Sequence, residues 1–107
     1  MTTIISAESI DDTLIVKVAN GPRDYLLWQW TGSAPQDIYF ECNDPLNGDY
    51  NSISECTVMW DGVHIITSKQ DMIHFYFDGI SPKLYGKFIQ GLKQIYALEP
   101  DILEVLD

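Results

Sequence analysis

Apolar residues recur at two different periods along this chain, and the change from one to the other divides it. Between residues 81 and 98, SPKLYGKFIQGLKQIYAL, the positions Leu84, Tyr85, Phe88, Ile89, Leu92, Ile95 and Tyr96 fall three or four apart. That spacing predicts an amphipathic helix over 81–98 with one broad apolar stripe. Ser81 offers an N-cap oxygen, Pro82 suits the first helical position, and Pro100 stands beyond the far end. Upstream the period falls to two. A stripe as wide as that of the helix must be covered, and the alternating segments before it supply a sheet to cover it.

Those segments are residues 3–6, 13–19, 25–30, 38–42, 53–60, 63–67 and 72–77. In the third, Leu26, Trp28 and Trp30 share one side and Tyr25, Leu27 and Gln29 the other, so both faces are largely apolar. Such a strand is either covered on both sides or presents its second face to something else. In the fourth, Ile38, Phe40 and Cys42 read as core, with Tyr39 and Glu41 opposite. In the last, Ile73, Phe75 and Phe77 read as the floor under the helix. Asp61-Gly62 signals a tight type I′ hairpin turn. Residues 43–52, NDPLNGDYNS, read as a loop, long for so small a domain. The tail DILEVLD fits a short helical turn as well as an edge strand. The expected fold is α+β: a single, mainly antiparallel sheet of about six to seven strands, with one C-terminal amphipathic helix packed on one face. Residues 1–107 form one domain, since 107 residues with 46% hydrophobic content suffice for one core and not for two.

Charge changes the picture. Sixteen acidic residues against six basic ones leave a formal charge of −10. Lys83, Lys87 and Lys93 all lie in the predicted helix, so the strands and loops carry the negative field. Such a field repels nucleic acid and anionic membranes and attracts basic surfaces from a distance. Aromatic strands can stack bases, but a basic groove is needed as well, and residues 1–80 hold only Lys17, Arg23 and Lys69. No apolar run approaches a membrane span, and the opening MTTIISAESIDD has neither a basic start nor a long apolar segment, which gives a cytoplasmic expectation. Cys42 and Cys56 have no metal-type spacing and read as buried thiols rather than a disulfide.

Catalytic signatures are missing: there is no Gly-rich phosphate loop, CxxC, HExxH or nucleophile elbow. His64 and His74 fall in neighbouring strands, where a metal pair with Asp61 or Asp71 is conceivable, but single strand histidines are more often ordinary surface residues. The expectation is a protein without enzyme activity, cofactor or metal. Recognition of another macromolecule remains. Tyr39 and Glu41 lie on one side of a strand that runs into a loop carrying Asp44, Asp49 and Tyr50. Aromatic anchors beside carboxylates suit a basic protein surface, the rings contributing affinity and the acids speeding encounter. With Asp37 and Asp61 these make the candidate partner-binding set.

The pattern resembles a family of small bacterial immunity proteins of polymorphic-toxin and contact-dependent growth inhibition systems, immunity protein family ten. The resemblance rests on Tyr25-Leu26-Leu27-Trp28-Gln29, on Ile38-Tyr39-Phe40-Glu41 entering the loop that ends near Tyr50 and Ile53, on Phe75-Tyr76-Phe77-Asp78, and on the closing helix. It implies a cytoplasmic, non-enzymatic inhibitor; apart from the resemblance, a free strand edge able to pair with itself gives a monomer or weak dimer as the expected free state. The implied partner is a cognate toxin domain, held inactive; the acidic charge makes a basic nuclease such as a ribonuclease the preferred target, with its active-site cleft covered. The alternatives are an acidic nucleic-acid mimic aimed at a host nucleic-acid-binding protein, and a small interaction subunit.

Overall fold

The computed structural model describes residues 2–106. The chain runs β1 (Ile4–Ile10), β2 (Thr13–Gly21), β3 (Asp24–Thr31), β4 (Ile38–Cys42), a 3-10 turn (Pro45–Asn47), β5 (Asp49–Tyr50), β6 (Ile53–Met59), β7 (Gly62–Thr67), β8 (Met72–Tyr76), α1 (Pro82–Ile95) and β9 (Leu103–Val105). The architecture is α+β with one helix, and its strands form two sheets instead of one. The first is a five-stranded meander, β1-β2-β3-β4-β5, antiparallel throughout; the second has the order β8-β7-β6-β9, with β9 parallel to β6.

The division falls at Asn51. Its N–H donates to the Ile38 carbonyl at 2.8 Å and its side-chain oxygen accepts from the Ile38 N–H at 3.0 Å. With φ at 53°, Asn51 clasps the start of β4 and sends the chain away from the first sheet. Alternation along a strand assigns side chains to faces and says nothing about which strand lies beside which. The inner rows of two small sheets therefore have the same pattern as one larger sheet.

The inner face of the first sheet is built in cross-strand rows. Val18, Leu26 and Cys42 form one, Val16, Trp28 and Phe40 the next, Leu14, Trp30 and Ile38 the third. Cys56, Val58, Val63, Ile65 and Phe75 face them from the second sheet within the same core. Trp28 is fully buried at its centre, with ring centroids 5.0 Å from Phe40 and 5.7 Å from Phe88. Its indole N–H donates to the Tyr96 hydroxyl at 3.1 Å, so the polar handle of the largest core side chain is satisfied.

Helix α1 is shorter than the 81–98 expected. Ser81 caps it, accepting from the Leu84 N–H at 3.2 Å, and Pro82 opens it. Phe88, Gly91, Leu92 and Ile95 make its buried side. At Tyr96 the backbone leaves the helical region, and Glu99 N–H returns to the Tyr96 carbonyl at 3.0 Å in a turn. The helix rests chiefly on β1 and β2, while Phe77 reaches it from beyond β8 with its ring 5.9 Å from that of Phe88. The tail resolves as strand β9, pairing Cys56 with Leu103 and Val58 with Val105. The turn at Asp61-Gly62 is not type I′. Met59 pairs with Gly62 around Trp60 and Asp61, and neither loop residue has a positive φ. Gly62 instead begins β7, where a Cβ would stand 2.2 Å from the Phe75 carbonyl oxygen.

Candidate functional site

Among the described residues Glu41 is the one charged side chain that is buried, at 9% exposure, and it lies outside the core. Parity in β4 puts Ile38 and Phe40 inward, so Tyr39 and Glu41 occupy the outer face of the first sheet. Register then chooses their neighbours. Leu27 stands opposite Glu41, and Tyr39 is flanked by Gln29 on one side and Tyr50 on the other. The Tyr39 and Tyr50 rings meet edge to face at 5.4 Å.

Two phenols hold the Glu41 carboxylate. Tyr39 donates to Oε1 at 2.8 Å, and Tyr25, reaching over from β3, donates to Oε2 in a short contact. Both donors are neutral, so the charge is buried with hydrogen bonds as its compensation. Burial and then the bond to Glu41 push the Tyr25 phenol up to about 12. For Tyr39 the bond to Glu41 comes first and burial second, also raising its pKa. The Lys17 ammonium sits 4.8 Å from the centroid of the Tyr25 ring.

The loop after β4 frames this cluster and is itself braced. Asn43, with φ at 67°, exchanges bonds with Tyr25: its side-chain oxygen accepts from the Tyr25 N–H at 2.9 Å, and its own N–H donates to the Tyr25 carbonyl at 3.0 Å. Asp44 caps the 3-10 turn through the Leu46 N–H at 2.9 Å. A shallow open recess results, lined by Lys17, Arg23, Tyr25, Leu27, Glu41 and Asp44.

Of the seven residues singled out from the sequence, Tyr39, Glu41 and Tyr50 form one cluster. Asp44 borders it, and Asp37, exposed immediately before β4, continues the outward parity of Tyr39 and Glu41. Asp49 pairs with Phe40 and so has the inward parity; it lines a cleft of about 480 Å³ between the two sheets, with Leu46 and Asp71 among its other walls. Asp61 belongs to the second sheet, its carbonyl accepting from the Phe77 N–H at 2.9 Å. Tyr25, Lys17 and Leu27 were not singled out. The apolar second face of residues 25–30 was the available signal, but only the β3–β4 register ties it to Glu41.

Carboxylates are spread over both sheets rather than concentrated here: Asp11, Asp12, Asp61 and Asp71 are exposed at hairpin turns remote in sequence from β4. What sets the site apart is burial and not density of charge. His64 and His74 stack at 4.3 Å with their planes 14° apart, and among the described residues no three His, Cys, Asp or Glu side chains are grouped to hold a metal. Cys42 and Cys56 are free thiols, one in each sheet. Among the described residues no helix is long and apolar enough to cross a membrane. No family model, curated protein or solved structure matches the chain.

Proposed function

We propose that this protein is a non-enzymatic inhibitor of the immunity type, acting in the cytoplasm by binding a cationic toxin domain and holding it inactive. The preferred target is a nuclease, because an enzyme that grips phosphates has a basic cleft that carboxylates can occupy in their place. The observation that carries the reading is Glu41, a buried carboxylate positioned at an outer face between two tyrosines. Holding a charge this way costs stability that a purely structural outer face does not require, and it leaves acceptor capacity on a preorganised group. Tyr39 and Tyr50 supply aromatic anchors beside it, and Asp44 and Asp37 add rim charge. Lys17 and Arg23 on the same recess make the pattern mixed, which favours a partner with a matching arrangement over any cationic surface.

The test is to mix this protein at equimolar ratio with the toxin domain encoded beside its gene and assay the toxin. Loss of toxin activity, restored by Glu41→Gln with Tyr39→Ala, is the expected result. A toxin that remains active beside the folded wild-type protein overturns the proposal.

A further inference from the structure

The edges of the two sheets differ in how far they are protected. Strands β5 and β9 are edges of two and three residues. At β8 the Tyr76 carbonyl already accepts from the Asn20 side chain at 2.8 Å. Strand β1 is tied only just before it begins, where Thr3 and Asp78 exchange hydrogen bonds, and is open along its length. It is seven residues long, in unbroken register with β2 from Ile4 to Ile10, and its sequence IISAESI has no lysine, proline or bulge. Its outer face also exposes two large apolar side chains, Ile4 at 69% and Ile10 at 58%.

The direction of the backbone groups follows from Thr3. Its N–H donates away from β2, to the Asp78 carbonyl at 2.7 Å. By alternation Ile5, Ala7 and Ser9 also turn their N–H and C=O groups to the open edge, whereas Ile4, Ser6, Glu8 and Ile10 turn theirs to β2.

We propose that β1 pairs antiparallel with β1 of a second copy about a two-fold axis at Ala7, joining two first sheets into one continuous sheet. This register is self-complementary. Ala7 faces Ala7 of the second copy and Ile5 faces Ser9, so every edge-directed backbone group of Ile5, Ala7 and Ser9 gains a partner. On the outer face the exposed Ile4 meets Ile10 of the second copy, twice by symmetry, and Ser6 meets Glu8, so no two like charges stand opposite. A register centred one residue later would set Glu8 against Glu8. Strand β1 lies at the opposite edge of the sheet from β4 and β5, so the Tyr39–Glu41–Tyr50 cluster of each copy remains open.

A seven-residue edge is at the small end of stable interfaces, below about 1,200 Å², so dimerisation is concentration-dependent. Each copy carries a formal charge of −10, and added salt strengthens the dimer by screening that repulsion, the reverse of its effect on a complex with a cationic partner.

Sedimentation equilibrium over a concentration series at low and high salt is the test. The expected mass rises from 12.2 kDa towards twice that value, more readily at high salt. Ile4→Lys with Ile10→Lys, and separately Ser9→Pro, hold it at the monomer with the wild-type circular dichroism spectrum. Register is read by cross-linking in the Cys42→Ser background: Ser6→Cys protein forms a disulfide with Glu8→Cys protein, and neither forms one with itself. A monomer at every concentration and salt, a dimer that survives both edge variants, or equal self-cross-linking of Ser6→Cys overturns the proposal.

Discussion

At the scale of single residues the informative group is Tyr25, whose phenol is held neutral by burial and by its bond to Glu41. The unfolded chain releases this proton near the ordinary tyrosine value of about 10 and the folded chain not until about 12. Between those values the unfolded state binds fewer protons, so stability falls as pH rises; below the lower value the contribution is fully present. Tyr96, raised by burial, and Tyr39 add to the same alkaline loss. The expected result for Tyr25→Phe is a shallower fall in melting temperature between pH 10 and 12. At pH 7 the same variant is destabilised by about 1–3 kcal/mol, because Glu41 loses a donor where water does not freely replace it. Denaturant melts of both proteins across that pH range measure the two effects. An unchanged alkaline slope would show that burial and Glu41 together do not hold the proton on this phenol.

At the scale of elements, α1 contains two glycines in different surroundings. A Cβ on Gly86 meets nothing within 4 Å, whereas one on Gly91 would stand 2.7 Å from a methyl of the fully buried Val16 and 3.7 Å from Ala7. Gly86→Ala is therefore expected to stabilise the protein by about 0.5–1 kcal/mol through helix propensity. Gly91→Ala gains the same propensity and is nonetheless expected to be destabilising, by about 1–3 kcal/mol, because a β-branched core neighbour must move. Phe88→Ala, at the junction of Trp28, Phe77 and the helix, is expected to cost about 3–5 kcal/mol. Thermal melts of the three variants rank them. The helix was legible because its period, cap and proline agree, and so were β2, β3, β4, β7 and β8, whose alternation marks their faces. Sheet membership was not, since it depends on Asn51 releasing the chain from β4 and on the pairing of β6 with β9, a contact between residues far apart in sequence. The site was legible to the same degree. Alternation placed Tyr39 with Glu41, but Tyr25 joins them through cross-strand register, and Asp49 departs from Tyr50 because adjacent strand residues face opposite sides.

At the scale of the whole molecule, exposed acids on both sheets separate two electrostatic roles that one crowded acidic face would merge. The molecule measures 35 × 30 × 28 Å, close to the screening length of about 30 Å at 0.01 M salt and several times the length of about 8 Å at 0.15 M. A cationic partner approaching the Glu41 cluster at low salt therefore feels acids anywhere on the exterior, and at physiological salt only those near the cluster. Asp37→Lys with Asp44→Lys, on the rim of the cluster, is expected to slow association at both salt concentrations and to flatten its salt dependence. Asp61→Lys with Asp71→Lys changes the formal charge equally but in the second sheet, and is expected to slow association only at 0.01 M. Glu41→Gln should leave the association rate close to wild type and raise the dissociation rate, because a buried acceptor acts after contact and not before it. Stopped-flow association and surface-resonance dissociation with the proposed partner, the toxin domain encoded beside this protein's gene, distinguish these cases. Equal slowing by the two aspartate pairs at 0.15 M would move the binding face away from Glu41 and towards the cleft between the sheets, which Asp71 lines.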